Sequence, residues 1–462
     1  MFIKRDLKEK IHKSQCTMDN CLNSMDDILY WIEDLNKNTL VQITEANISD
    51  DTFWFYDDCK GEILNRKRSF FSIVGMRYFV ENEFVSEQPI IVQNEIGYLG
   101  IIAKEFNGVI HFLMQAKIEP GNVNFVQISP TIQATKSNFT RSHGGKLPLY
   151  FDWFEHADKK GKIIYDQIQS EQGSRFVGKR NRNIILLTEE DVPLHQNYKW
   201  MTLGQIKSLM RRDNLVNMDT RTVLSGLPVA FNNPQGGGYT TCLSTSGQSD
   251  VACEDIVKAY TLLNNYKMYN EVHKTVVPLN ELVDWKVDSY GVTCKNDADF
   301  CVRFYNIQIQ GREVQCWMQP LFKATASALF VMFTAIINGH RKFLITLSPE
   351  IGTLDKVEFG PSLQISNVNK IDSSIPMHKV FLEYERTKSG VIVDVMLSEE
   401  GGRFYHEQNR NVIIEVDPSK IILDKNQLWV SAEALNFLVA HNNVLNIQLR
   451  NLISLFDFKE EK

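Results

Sequence analysis

The stretch LGIIAKEFNGVIHFLMQAKI, Leu99 to Ile118, reads as two apolar strands joined by Asn107-Gly108. That dipeptide favours a two-residue hairpin because both central residues of the turn need positive φ. The pattern returns in ALFVMFTAIINGHRKFLITL, Ala328 to Leu347, around Asn338-Gly339, 231 residues further on. At that offset residues 88–138 align with 319–369 without a gap, and twelve of the fifty-one positions are identical. Shared composition does not produce such a match, so the chain is an internal duplication.

Working outward, Trp54 and Trp285 keep the offset. Further on the register slips by a few residues: Glu171 to Phe176 answers Glu399 to Phe404, Asn181-Arg-Asn183 answers Asn409-Arg-Asn411, and Asn217 and Arg221 answer Asn446 and Arg450. A chain of 462 residues is too long for one core, and two units of about 200 residues suit it. The units are set at 20–232 and 251–462. Between them 233–250, rich in Gly, Ser and Thr, reads as a flexible linker.

Leu22, Met25, Leu29, Ile32 and Leu35 mark a helix at the start of the first unit. Thr202 with Gln205 forms a capping box ahead of Leu203, Ile206, Leu209 and Met210, and Asp219 is expected to cap a further short helix. The fold class is therefore α+β, two tandem domains with mixed sheets flanked by helices. The longest apolar run, Ala324 to Ile337, is too short for a membrane span and reads as a buried strand.

A net charge of −6 argues against a nucleic-acid binder working through bulk electrostatics. Met1 to Asp6 leads into alternating charges rather than an apolar signal, and none of the eight cysteines has C-x-x-C spacing. A cytoplasmic protein with reduced thiols is expected. No dinucleotide fingerprint, P-loop, nucleophile elbow or metal-binding His/Asp cluster is present.

Chemistry concentrates in three polar runs. In Met114 to Asn122 a period of two places Gln115, Lys117 and Glu119 on one face. Gln133, Thr135, Ser137, Asn138, Arg141 and His143 follow as a series of donors suited to a polyhydroxy or phosphate ligand. In Ser170 to Asn183, Arg175, Arg182 and Asn183 offer guanidinium and amide groups that match a diphosphate. The third run, Asp213 to Arg221, carries Asn217, Thr220 and Arg221. Each also has a plainer reading, as a solvated strand face, a basic loop or helix caps.

These runs are where the chain resembles a known family. MQAKIEPGN (114–122), QATKSN (133–138), SEQG (170–173), RNRN (180–183), DNLVNMDTRTVLSGLP (213–228) and EEGGRFYH (399–406) are similar to the motifs of the NDP-hexose 2,3-dehydratases. The likeness runs in order from about residue 25 to the end. It implies two Nudix-like domains per subunit, a homodimer, and a bound dTDP-4-keto-6-deoxyhexose, with no metal or redox cofactor. The acidic R-E-x-x-E-E helix of metal-dependent Nudix hydrolases is missing from both halves. A non-catalytic nucleotide-sugar binder and a metal-dependent hydrolase are the rival readings.

The implied reaction removes the C3 hydrogen next to the C4 carbonyl and expels the C2 hydroxyl, and a 3-ketoreductase then consumes the product. Glu119, Glu171 and His143 are the candidate base or acid, and spacing does not rank them. Lys117 or Gln115 would stabilise the enolate oxygen. Arg141, Arg175 and Arg182 would meet the diphosphate. Gln115, Asn122, Gln133, Thr135, Ser137, Asn138, Asn183, Asn217, Thr220 and Arg221 would complete the substrate contacts. In the second half Glu399, Arg403, His406 and Arg410 are the counterparts. There Thr346 and Ser348 replace Gln115 and Lys117, and Leu449 replaces Thr220, while Trp317 of W-M-Q-P meets only Ser86 in the first half. The first half is therefore expected to carry the chemistry, and the second to be structural or a relic nucleotide-sugar site.

Overall fold

The computed structural model describes residues 5–19, 21–50, 53–140, 146–227, 248–296, 298–311 and 314–456. Both Asn-Gly turns form as expected. Asn107 and Gly108 have φ of 50° and 77°, Asn338 and Gly339 of 52° and 78°. They close the hairpins Gly97–Phe106/Val109–Ile118 and Leu329–Ile337/His340–Ser348. Each hairpin is the centre of a seven-stranded mixed sheet. In the first, Gly97–Phe106 runs parallel to Arg180–Thr188. In the second, Leu329–Ile337 runs parallel to Gln408–Glu415. The apolar run that ends at Ile337 is a buried strand from Leu329 onward.

Each half also builds a five-stranded outer sheet, and here the two halves exchange a strand. Val41–Ala46, from the first half, pairs antiparallel with Phe300–Ile309, from the second, in register Val41↔Ile309 to Ala46↔Phe304. In return Val272–Val277 pairs with Ser72–Val80, in register Val272↔Val80 to Val277↔Gly75. Alternation fixes which face is buried. Val41 and Ile43 pack onto Tyr305, Ile307, Ile309 and Leu321, and Val272 onto Val74, Met76, Tyr78 and Ile90. The sequence units 20–232 and 251–462 thus interlock in space.

The helices are shared in the same way. Thr202 and Gln205 make both bonds of the expected capping box at Leu203–Met210. Ser24 and Asp27 make another at Met25–Asn38, and Leu22 lies ahead of that helix, exposed. Asp219 is not the cap of the next helix. Asn217 is, its side chain accepting from Thr220 N at 2.8 Å, and Asp219 falls in the first turn. Met218–Leu224 packs on its counterpart Ile447–Leu455, and one continuous apolar core joins the helices of both halves. Residues 228–247, and with them 233–247 of the expected linker, lie outside the described residues, and the helix Gln248–Tyr269 takes up its last three positions.

Candidate active site

The Glu-x-Gly turn of each half docks on the Glu-x-Gly-x-Arg-Phe loop of the other. Gly121 N donates to Gly401 O at 2.7 Å, and His406 N donates to Gly121 O at 2.8 Å. Gly352 N donates to Gly173 O at 2.7 Å, and Gly178 N to Gly352 O at 2.7 Å. A Cβ on Gly121 would overlap the Phe404 carbonyl, and one on Gly352 the Phe176 carbonyl, so only glycine permits these approaches. Behind the loops Phe176 and Phe404 meet edge to face at 6.0 Å. Arg175 lies over Phe300 at 3.9 Å and Arg403 over Phe71 at 4.4 Å. Two related sites result, each built from both halves.

The first site holds Lys117, Glu119, Asn122, Glu171, Asp219, Glu400 and Arg403. Lys117 leaves the end of the Val109–Ile118 strand half-buried, and its Nζ pairs with Glu119 Oε1 at 2.7 Å. Asn122 is buried; its Nδ2 donates to Phe125 O at 2.8 Å and its Oδ1 faces Gly401 without a partner. Asn217 Nδ2 donates to Ser129 Oγ at 2.9 Å and to Gln133 Oε1 at 3.3 Å, which fixes the amide of Gln133. Gln115 is half-buried on the same sheet, in register with Ser129.

Charge is crowded there. Burial drives the Asp219 carboxyl well above the usual range, the negative charges of Glu171 and Glu400 push the same way, and Lys117 opposes them. Glu400 is raised first by burial, against the pull of Arg403, and Glu119 adds to the rise. Glu171 is raised by burial against the pull of Lys179 and Arg450, and Asn181 Nδ2 donates to it at 2.5 Å. Burial lowers the Lys179 ammonium, whose Nζ donates to Glu95 O at 2.6 Å and Asn181 Oδ1 at 2.8 Å.

The second site has the same frame with different groups. Glu350 Oε1 accepts from Gln364 Nε2 at 2.8 Å, and Asn446 Nδ2 donates to Gln364 Oε1 at 2.9 Å. Burial first, then Glu358, pushes Glu350 up to about 7. Lys274, on the exchanged strand, is pulled down to about 8 by burial. A cavity is lined by Glu171, Gly173 and Lys179 from one half and by Gly352, Thr353 and Glu358 from the other.

Several expected site residues are engaged elsewhere. Arg182 forms a fork to Asp166, Nε to Oδ1 at 2.7 Å and Nη2 to Oδ2 at 2.6 Å, and Arg410 forms the same fork to Asp394. Arg221 is 1% exposed, and its Nη2 donates to Ser398 O at 2.6 Å. Thr220 Oγ1 donates to Ile128 O at 3.1 Å, and Asn183 Nδ2 to Asn181 O at 3.0 Å.

Thr135 stands at the N-cap position of the short helix Lys136–Phe139 without a side-chain capping bond, its hydroxyl 2.9 Å from Ser137 Oγ, while Asn138 is exposed on that helix. Glu399 is buried at the junction of the halves and accepts from Gln172 and Asn409; burial pushes it up to about 8. His406 is stacked on Tyr405 at 4.1 Å, and burial lowers its imidazole. Arg141 and His143 lie outside the described residues.

Two residues of the first site lie outside the site expected from the sequence: Asp219, expected there only as a helix cap, and Glu400. A signal was present, because their counterparts Gln448 and Gln172 are neutral. Among the described residues no group of three or more His, Cys, Asp or Glu is placed to hold a metal ion. No described helix is long and apolar enough to cross a membrane.

Comparison with known proteins matches this architecture on both halves. The family model for NDP-hexose 2,3-dehydratase matches residues 25–227 and again 257–456. Three relatives carry the name dTDP-4-dehydro-6-deoxy-alpha-D-glucopyranose 2,3-dehydratase. The one from Streptomyces violaceoruber is 33% identical over 428 residues, 92% of this chain and 95% of the relative. That from Amycolatopsis orientalis is 32% identical over 459 residues, 97% and 93%. That from Saccharopolyspora spinosa is 34% identical over 416 residues, 87% and 85%. With the duplicated frame, the reciprocal loops and two family matches along its length, the chain belongs to the NDP-hexose 2,3-dehydratase family.

Proposed function

We propose that this protein removes water across C2 and C3 of dTDP-4-dehydro-6-deoxyglucose, and that it does so in the first of its two sites. The observation that carries the choice of site is the Lys117–Glu119 pair, 2.7 Å apart, beside a loop of the other half. The second site has Ser348 where Lys117 stands.

The C4 carbonyl acidifies the C3 hydrogen, since the electron pair of the broken C3–H bond passes to oxygen as an enolate. Glu119, with the Lys117 ammonium 2.7 Å from its carboxylate, is the base. On binding substrate Lys117 turns to the C4 oxygen and stabilises the enolate as its charge develops. When the C4 carbonyl reforms, the C2–C3 double bond forms and the C2–O bond breaks, and the departing hydroxide takes a proton and leaves as water. The C3 enol then tautomerises to a 3,4-diketone. No step calls for an electron carrier.

Arg175 and Arg403, each over an aromatic ring and each with a buried Nε lacking a partner, are the guanidinium groups suited to the phosphates. Arg182 and Arg410 are better read as strand braces and Arg221 as a core brace. The mixed sheet flanked by helices supports a Nudix-like reading of each half. A cytoplasmic homodimer passing its product to a 3-ketoreductase belongs to the same reading, supported by the reactivity of a free 3,4-diketone.

The test is to incubate the protein with the nucleotide sugar and chelator, trap the product with a 3-ketoreductase and NADPH, and follow mass. Loss of one water is expected. Tight binding of the sugar without water loss would leave a binding protein in its place.

A further inference from the structure

Residues at equivalent positions of the repeat differ in chemistry between the two sites. Lys117, Asp219 and Glu400 of the first site correspond to Ser348, Gln448 and Gln172 of the second, whereas Glu119 corresponds to Glu350. Three ionisable groups have become neutral together, while the frame that carries them is kept. A scaffold role does not explain this, since Asp219 does not cap its helix and Asn217 and Asn446 cap both copies alike.

Asp219 is 2% exposed, yet no group among the described residues donates a hydrogen bond to its carboxyl. A buried carboxyl without a donor is costly when ionised, so it is kept as the acid or reserved for a ligand. Glu400 enters the same site from the second half, on the loop that docks against Gly121, where its Oε1 accepts from Gly402 N at 2.9 Å. Gln172, its counterpart, instead turns its amide to Glu399.

We propose that Asp219 is the catalytic acid that protonates the departing C2 hydroxyl, and that Glu400 is a positioning residue that keeps the proton on Asp219 until the C2–O bond breaks. This rests on the dehydratase reading of the first site. The balance is simple. Asp219 gives one proton to the leaving oxygen, water forms, and the carboxylate left behind is reprotonated by the proton that Glu119 took from C3 or by solvent. The groups facing Asp219 are Glu171, Glu400, Lys117 and Glu119, and removing the negative charge of Glu400 makes Asp219 a stronger acid.

The test uses the full-length protein and dTDP-4-dehydro-6-deoxyglucose in D₂O, following C3 deuterium exchange and trapped water loss separately. Asp219→Asn is expected to keep C3 exchange and to lose water loss by about 10²- to 10⁴-fold, the range of one general-acid step. Glu400→Gln is expected to move the alkaline limb of kcat to lower pH, a change that lost packing would not produce. Thermal melting checks that both variants are folded, and if Asp219→Asn does not fold the pH limb of Glu400→Gln decides. Wild-type water loss by Asp219→Asn, equal loss of exchange and water loss in the folded variant, or an unmoved alkaline limb in Glu400→Gln would each overturn the proposal. Failure of the wild-type protein to lose water would overturn the dehydratase reading instead.

Discussion

Glu119 and Glu350 occupy the same turn in the two halves and live in opposite surroundings. Glu119 has the Lys117 ammonium at 2.7 Å. Glu350 has Ser348 two residues back and Glu358 across from it, takes an amide from Gln364, and is pushed up to about 7. Two exchanges separate their surroundings: Ser348 stands where Lys117 does, and Glu358 where Gln127 does. A duplicated frame can therefore keep its turns and caps while the charges around equivalent carboxyls differ, because electrostatics depends on a few neighbours and backbone geometry on many.

The sharpest way to break this comparison is activity. Glu119→Gln is expected to lower kcat by about 10²- to 10⁴-fold, and Glu350→Gln to change it by no more than a few-fold. Steady-state rates with the reductase trap read both, and a large loss in the second variant would mean that both sites turn over.

Stability separates the braces from the site. Arg221 is fully buried, and losing its bond strands the Ser398 carbonyl in the core. Arg221→Ala is expected to cost about 3 kcal/mol. Arg182→Ala removes a partly exposed fork and should cost about 1 kcal/mol or less. Urea unfolding monitored by tryptophan fluorescence measures both, and equal costs would contradict the burial argument.

A further effect concerns pH. Glu350 and Glu399 have folded values of about 7 and about 8 against an ordinary 4.5. The folded chain then binds more protons than the unfolded one between those limits, so stability falls as pH rises from about 4.5 to about 8. Glu399→Gln is expected to remove the slope between about 7 and about 8 and to reduce it below that, and Glu350→Gln to reduce it only below about 7. Thermal midpoints across this range test it, and slopes unchanged by both variants would count against the assignment.

Much of this frame was readable in the residues. Asn107-Gly108 and Asn338-Gly339 demand positive φ and so announce their turns, and the Thr202–Gln205 box announces its helix. The strand exchange was not readable. Val41–Ala46 carries an alternation that satisfies either copy of the outer sheet, and nothing local selects Phe300–Ile309 over Ser72–Val80. Asp and Asn serve equally well as caps, so the residues alone do not decide between Asp219 and Asn217, and the fold places Asn217 there. Arg221 and Arg182 carried the right chemistry for phosphate, but charge alone does not reveal that a guanidinium is already engaged by a buried carbonyl or by Asp166.

One measurement tests the central claim, that dehydration takes place in the first site alone. Lys117→Ala and Ser348→Ala, each confirmed folded, are given dTDP-4-dehydro-6-deoxyglucose, and trapped product is followed by mass. Loss of water should all but vanish in Lys117→Ala and continue at close to the wild-type rate in Ser348→Ala. Unimpaired water loss in Lys117→Ala, or its disappearance in Ser348→Ala, would contradict the account.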